Sequence, residues 1–114
     1  MIDRKEFIDT FCLSDKELVV DLIDIFLSGY EERFREIRKN VAEKDFEKLR
    51  FNAHKLKGGI AIFQDTISTD LSKKLTEMAK NKIDAGLDQA FADLEKSTIL
   101  LLEEMNIIKQ EFIS

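Results

Sequence analysis

Apolar residues recur every three or four positions through four segments of this 114-residue chain. Such spacing places them along one side of an α-helix, which packs against the apolar sides of other helices. Proline is absent and glycine occurs only four times, so few turns are indicated and the helices should be long. No alternating strand pattern appears, and no sheet is expected. The spacing predicts an all-α protein, an antiparallel four-helix bundle with short connections.

A short extra N-terminal helix is predicted ahead of the bundle, over residues 3–11, where it would serve as a lid. Its buried side would carry Phe7, Ile8 and Phe11. The single cysteine, Cys12, follows directly and has no partner for an internal disulfide, which agrees with a reducing compartment. We expect Cys12 to be a small, buried apolar side chain.

The first long helix is predicted over residues 15–43, behind a capping box. Ser14 would accept an amide hydrogen bond at the helix start while Glu17 reaches back to the backbone. The expected core positions are Leu18, Leu22, Phe26, Tyr30, Phe34, Ile37 and Val41, widened by Val19, Ile23 and Leu27.

Three further helices follow at short intervals. Asp45 is predicted to cap the second long helix, the third should begin near Asp65 or Ser68, and residues 81–86 are typical of a turn before the last. The core positions would be Phe46, Leu49, Ala53, Leu56, Ile60 and Phe63, then Ile67, Leu71, Leu75 and Met78, then Phe91, Leu94, Thr98, Leu101, Met105, Ile108 and Phe112. Together the segments predict one domain over residues 1–114.

Charge and hydropathy narrow the possible partners. The formal net charge is −5, whereas nucleic acids and anionic membranes attract proteins of the opposite sign, so neither is expected as a partner. No run approaches 18 consecutive apolar residues, and the N-terminus lacks the apolar core of a signal peptide. These features predict a cytoplasmic protein.

A bundle that buries the apolar sides of its helices should be a monomer. The initial methionine with a complete helix set favours a free-standing protein.

The only histidine, His54, lies in the stretch AHKLKGG, one helical turn before two glycines. A glycine inside a helix costs about 0.5–1 kcal/mol relative to alanine, so the pair requires an explanation. At 100° per residue, His54 lies about 130° from the middle of the apolar seam. It should therefore point outward, which argues against a core histidine and leaves a reactive or a merely solvated side chain.

Residues three, four and seven positions away share the surface around this histidine. Arg50 and Lys57 would place positive charge at its edge, where phosphoryl oxygens are attracted. Phe51 would expose an apolar ring, while Gly58 and Ala61 would remove side-chain bulk. The pattern predicts a nucleophile on a flat, partly apolar patch that another protein can approach closely.

The glycines have a plainer interpretation, because glycine often follows the end of a helix. The apolar period continues through Ile60 and Phe63, which argues against a helix end at Gly58. Gly59 lies nearer the core and would permit close helix packing.

The stretch AHKLKGG resembles the His-x-Leu-Lys-Gly signature of histidine-containing phosphotransfer (HPt) domains. The preceding KDFEKLRFNAH is similar to the family's approach to the histidine: an acidic residue, an aromatic residue, and a small residue just before it. Ile25, Phe26 and Leu27 are similar to the family's helix beside the docking face. The resemblance covers nearly the whole chain.

The resemblance implies a phosphorelay intermediate. His54 would accept a phosphoryl group from the aspartate of a response-regulator receiver domain and pass it to another receiver aspartate. Lys57 would hold the phosphoryl oxygens. In the family, Mg²⁺ and most catalytic groups belong to the receiver, so this chain would be a carrier with no cofactor, no metal and no enzymatic turnover of its own. Its partners would be receiver domains, a hybrid histidine kinase, or both.

The residues expected at the docking face are Phe26, Arg50, Phe51, Gly58 and Ala61. Phe26 and Phe51 would supply apolar contacts, Arg50 and Lys57 electrostatic ones, and Gly58 room for the receiver. Phe26 could equally be a core residue, and Arg50 could simply be a solvated charge.

One position departs from the family pattern. Family members usually have a second glycine ten residues after the histidine, whereas this chain has Gln64. The departure concerns the turn that follows the histidine helix and, through it, the shape of the docking face.

Other functions stay open. The Lys-Gly-Gly stretch with Ala61 and Phe63 is also similar to the phosphoacceptor domain of chemotaxis-type kinases, which receives phosphate from a kinase ATP domain. A helical adaptor would bind signalling partners through the same patch without phosphoryl transfer, and a structural bundle would self-associate. A Cys–His hydrolase would need Cys12 near His54 and a third orienting group. A metal site is poorly supported by one histidine, one cysteine and no Glu-x-x-His pair.

Overall fold

The computed structural model describes residues 1–113, and it is 83% helical. The helices are α1 (Arg4–Glu6), α2 (Lys16–Glu43), α3 (Phe46–Ala61), α4 (Thr66–Lys80) and α5 (Leu87–Ile113). A π-helical segment, Phe7–Phe11, continues α1. The described residues form no strand, and the predicted all-α fold is confirmed.

Helices α2 to α5 form a four-helix bundle in which α2 and α4 each pack against both α3 and α5. The connections at residues 44–45, 62–65 and 81–86 are short, so consecutive helices run antiparallel. The molecule measures 44 × 21 × 19 Å, and the 28 residues of α2 span about 42 Å at 1.5 Å per residue. Helices α2 and α5, with 28 and 27 residues, therefore run nearly the length of the bundle. None of the helices within residues 1–113 is long and apolar enough to cross a membrane.

The first half of α2 is rotated relative to its predicted core side. Val19 and Ile23 are completely buried. Four residues that were predicted as core positions are only half-buried: Leu18, Leu22, Phe26 and Tyr30. The reason is that most of them line an open groove between α2 and α3.

The N-terminal segment packs on the bundle with Phe7 and Cys12 buried, as predicted, but with Phe11 outside the core. Phe7 is buried against Phe63, with ring centroids 4.9 Å apart. The prediction for Phe11 is wrong, because this side chain is 44% exposed while Cys12 is buried. The Cys12 amide donates to the Phe7 carbonyl, five residues back, and this wider π turn returns Cys12 to the buried side in place of Phe11.

Aspartates cap three helices of the bundle, α2, α3 and α4. Asp15 accepts hydrogen bonds from two first-turn amides of α2, at 2.9 and 3.3 Å. Ser14 instead has a left-handed backbone with a φ of 57°, so the predicted capping box of Ser14 and Glu17 is wrong. Asp45 caps α3 as predicted, and of the two starts proposed for the next helix, Asp65 is the cap.

Small hydroxyl residues form part of the buried side of α4. The prediction placed Ile67 and Leu71 in the core, but Ile67 is 63% exposed and Leu71 is half-buried. Ser68 and Ser72 are buried instead. The Ser68 hydroxyl lies 2.5 Å from the Ser97 hydroxyl of α5, and the Ser72 hydroxyl donates to the Ser68 carbonyl at 2.8 Å. Because these hydroxyls are hydrogen-bonded, their burial carries little penalty.

Candidate functional site

Helix α3 carries His54 in an unbroken run. The helix begins after the Asp45 cap and continues through both glycines to Ala61, so the interpretation of Gly58 as a helix end is wrong. His54 lies on the exposed side of α3, as its angular position predicted.

A buried polar contact sets the position of α3 against α2. The Asn52 side-chain amide donates to the side-chain oxygen of Asn40 at 2.7 Å, and Asn40 is buried. A buried polar group must be paired to avoid a desolvation cost, so this bond favours one register of the two helices. Asn52 lies two residues before His54 and thereby helps to fix which way the histidine side of α3 points.

The exposed side of α3 borders a groove shared with α4, which we call the histidine groove. Its volume is about 470 Å³. Its lining residues are Glu47, Arg50, Phe51, His54 and Lys57 from α3, and Lys73, Thr76, Glu77 and Lys80 from α4. The structure therefore brings four of the predicted site residues to one concave surface: Arg50, Phe51, His54 and Lys57.

Cations without a counter-ion surround this groove. Four cations line the groove, Arg50, Lys57, Lys73 and Lys80, and none of them forms an ion pair within residues 1–113. Of the fourteen other Lys and Arg residues, six form an ion pair within the described part of the chain, as Lys44 does with Asp84 at 2.5 Å. Unpaired cations around a concave surface favour the binding of an anion such as a phosphoryl group.

The imidazole of His54 is not hydrogen-bonded to any group in the described part of the chain. Thr76 lines the same groove, but its hydroxyl donates to the Ser72 carbonyl at 2.8 Å. No side chain among residues 1–113 therefore holds the ring by a hydrogen bond, and the exposed imidazole is accessible to an external reactant.

Gly58 lies one turn after His54 and opens the surface there. A Cβ atom at Gly58 would have no neighbour within 4 Å, and Phe51 on the same side of α3 is 67% exposed. A Cβ atom at Gly59 would lie 3.6 Å from the Phe26 ring, which is ordinary van der Waals contact. Close helix packing therefore does not require glycine at Gly59, contrary to our expectation from the sequence.

A second, smaller groove lies between α2 and α3, and we call it the apolar groove. Its volume is about 110 Å³, and its lining includes Leu22, Ile25, Phe26, Gly59 and Ile62. Phe26 is half-buried and meets Phe63 edge-on, with ring centroids 5.5 Å apart. Phe26 is thus both a packing residue and a groove wall. Ile25 is 68% exposed at the same groove.

Sequence reasoning missed the residues that α4 contributes. Lys73 and Lys80 are seven positions apart, so they share one side of α4, but only the packing of α4 on α3 turns that side toward His54. Ala61 is half-buried at the end of α3 and lines neither groove. Its expected part in docking stays a prediction.

Gln64 has a left-handed backbone, with a φ of 59°. Glycine adopts this conformation without steric cost, which agrees with the glycine usual in the family at this position. The Gln64 side chain donates to the Ala61 carbonyl at 2.9 Å, and the Gln64 carbonyl accepts from the Asp3 amide at 3.2 Å. Gln64 therefore supports the turn and holds the N-terminal segment against it.

Cys12 does not belong to the site. Burial raises the pKa of the Cys12 thiol, and the Asp15 carboxylate raises this pKa further. A buried, protonated thiol is a poor nucleophile, and Cys12 lines neither groove, so the hydrolase alternative has no support. Among residues 1–113, no three His, Cys, Asp or Glu side chains are grouped so that they could hold a metal ion.

An antiparallel four-helix bundle with one exposed histidine beside unpaired cations defines a helical domain suited to carry a phosphoryl group. Residues 21–110 match the family model described as Hpt domain, which covers most of the chain, and the protein belongs to this family. Hpt domains serve phosphotransfer in two-component signalling, in general as phosphocarriers rather than catalysts. Neither a curated protein nor a solved structure shows significant similarity to the chain.

Proposed function

We propose that the protein is a phosphorelay intermediate whose phosphoacceptor is His54. One observation carries the proposal: in an Hpt-family chain, an exposed histidine without a hydrogen bond lies in a groove with four unpaired cations. His54 accepts the phosphoryl group from a receiver-domain aspartate and passes it to another receiver aspartate. The protein is a carrier without turnover of its own.

The transfer requires little chemistry from this chain. A ring nitrogen of His54 attacks phosphorus, the N–P bond forms as the O–P bond to the aspartyl carboxylate breaks, and the ring releases a proton to solvent. Phosphoryl transfer depends mainly on positioning and on neutralising the charge of the phosphoryl oxygens. Lys57 lies one turn after His54 and neutralises part of that charge. Mg²⁺ belongs to the partner receiver.

The receiver docks on the exposed side of α3. Gly58 leaves space for its close approach, and Ala61, two turns after the histidine, keeps side-chain bulk low. Phe51 offers an exposed ring and Arg50 a positive charge. Phe26 in the apolar groove provides the apolar contact on the α2 side.

The proposed relay role also determines which partners and which location we propose for the protein. We propose receiver domains, a hybrid histidine kinase, or both, as partners of a monomeric, cytoplasmic protein with one domain over residues 1–114. The net charge of −5 supports the exclusion of nucleic acid and anionic membranes.

The test is phosphoryl transfer from a phosphorylated receiver domain, in the presence of Mg²⁺, to the wild type and to His54→Gln. We expect labelling of the wild type only, as an acid-labile and alkali-stable adduct. Because His54 is exposed and without a hydrogen bond, the glutamine variant should keep the helical circular dichroism of the wild type.

Equal labelling of both proteins would refute His54 as the acceptor. If several receivers fail to label the wild type, a kinase ATP domain becomes the donor to test, and labelling from it would establish the chemotaxis-type alternative. Partner binding without labelling from any donor would establish the adaptor.

A further inference from the structure

Two lysines on α4 border the histidine groove opposite the predicted site residues. Lys73 lies in the middle of α4 and Lys80 is its last residue, and both line the groove that holds His54. Neither forms an ion pair within residues 1–113. Lys74, the next residue on α4, is also exposed but does not line the groove.

The charges of the groove are unbalanced before any ligand arrives. Four cations and two carboxylates, Glu47 and Glu77, line it, so the groove has an excess positive charge in a protein whose net charge is −5. The cations come in equal number from α3 and α4, and they repel one another across the groove. A phosphoryl dianion between them would offset this repulsion and accept charge-assisted hydrogen bonds from both helices.

We propose that Lys73 and Lys80 form the α4 half of a phosphoryl clamp, so that phosphorylation of His54 ties α4 to α3. The inference rests on the proposed function of His54, and it assigns to α4 a role in holding the phosphorylated state. The clamp makes phosphorylation stabilising, although the modification adds negative charge to an acidic protein.

The test uses phosphoramidate, a small donor that needs no partner protein. The P–N bond of phosphoramidate breaks as the N–P bond to the His54 ring forms, and ammonia leaves and takes up the proton that the ring releases. Intact mass gives the phosphorylated fraction. Thermal unfolding of each protein is measured before and after phosphorylation, and the proteins are compared at the same phosphorylated fraction. The variants are the double substitution Lys73→Gln with Lys80→Gln, and Lys74→Gln as the matched control on the same helix.

We expect phosphorylation to raise the Tm of the wild type by about 4 °C, the size of a modest charge-assisted interaction in a domain of this length. Lys74→Gln should show the same rise, and the double variant should lose at least half of it. In ³¹P NMR, the phosphoryl pKa should be lower in the wild type than in the double variant, because neighbouring cations favour the dianion.

An equal rise in all three proteins, or a fall of the wild-type Tm on phosphorylation, would overturn the clamp while leaving His54 as the acceptor. Failure of the wild type to take up the phosphoryl group, or uptake that persists in His54→Gln, would overturn the proposed function and the clamp together.

Discussion

Gln64 holds the turn between α3 and α4 in a backbone conformation that is costly for a residue with a side chain. Its φ is 59°, and the left-handed region costs such residues about 1–2 kcal/mol. The hydrogen bond from its side chain to the Ala61 carbonyl offsets part of that cost. The turn matters because it joins the two helices that form the histidine groove.

This left-handed conformation predicts that glycine stabilises the protein more than alanine does at position 64. Gln64→Gly and Gln64→Ala both remove the side-chain hydrogen bond, but only glycine relieves the left-handed strain. We expect the glycine variant to be more stable than the alanine variant by about 1 kcal/mol. Urea denaturation gives the free energies of unfolding, provided that the m-values agree.

The control for Gln64 is Gly58, which lies inside α3 with open space around it. At this position the order should reverse, with Gly58→Ala more stable than the wild type by about 0.5–1 kcal/mol. An alanine preference of the same size at position 64 would show that the turn does not hold the left-handed conformation in solution.

The two halves of the histidine groove differ in how far the sequence predicts them. The exposure of His54 and its proximity to Arg50 and Lys57 follow from the geometry of one helix, which the apolar period of α3 fixes. The approach of Lys73 and Lys80 depends on how α4 rotates against α3. That rotation is set by contacts between helices, and periodicity within one helix contains no information on it.

At the scale of the helices, the sequence predicted the bundle and its joints but not all of its details. In α4, the apolar period placed Ile67 in the core, whereas the structure buries Ser68 and exposes Ile67. The Ser68 hydroxyl bonds both the Asp65 carboxylate, at 2.8 Å, and Ser97. A pattern based on hydrophobicity cannot find a serine whose burial depends on partners elsewhere in the chain. The π turn that leaves Phe11 exposed is missed for a related reason, because a fixed 100° period does not describe it.

At the start of α2, the neighbouring residues Ser14 and Asp15 differ in how they contribute to capping. Asp15 accepts hydrogen bonds from two first-turn amides, whereas Ser14 makes only a long side-chain contact with Asp9, at 3.4 Å. We expect Asp15→Ala to lower the free energy of unfolding by about 1 kcal/mol, and Ser14→Ala to change it by less than about 0.5 kcal/mol. Urea denaturation of both variants is the measurement.

Asp15→Asn is the conservative control, because asparagine caps helices about as well as aspartate. It should recover most of the stability that the alanine variant loses. A larger loss from Ser14→Ala than from Asp15→Ala would mean that the capping box forms in solution as the sequence pattern indicates.

Across the whole molecule, charge is unevenly distributed. Residues 46–80, which contain α3 and α4, have seven Lys or Arg and four Asp or Glu, a net charge of +3. The remaining residues have eleven Lys or Arg and nineteen Asp or Glu, a net charge of −8. Helices α3 and α4 form a helical hairpin with a net positive charge, and this hairpin carries the histidine groove. The rest of the protein is acidic. A phosphorylated aspartate, which is a dianion, is attracted to the first part and repelled by the second.

This asymmetry predicts that charge changes on the hairpin slow phosphoryl transfer more than equal changes outside it. Lys55→Glu with Lys74→Glu alters two exposed hairpin positions outside the histidine groove, and Lys39→Glu with Lys96→Glu makes the same net change on α2 and α5. At low salt we expect the hairpin variant to reduce the second-order rate of transfer from a phosphorylated receiver by about threefold to tenfold, and the other variant to reduce it less.

The difference in transfer rate between the two variants should shrink as salt is added, because the Debye length falls from about 10 Å at 0.1 M to about 3 Å at 1 M. Rapid-quench transfer assays at several protein and salt concentrations measure both effects. Equal slowing by the two variants at every salt concentration would mean that net charge alone governs the encounter and that the hairpin does not steer it.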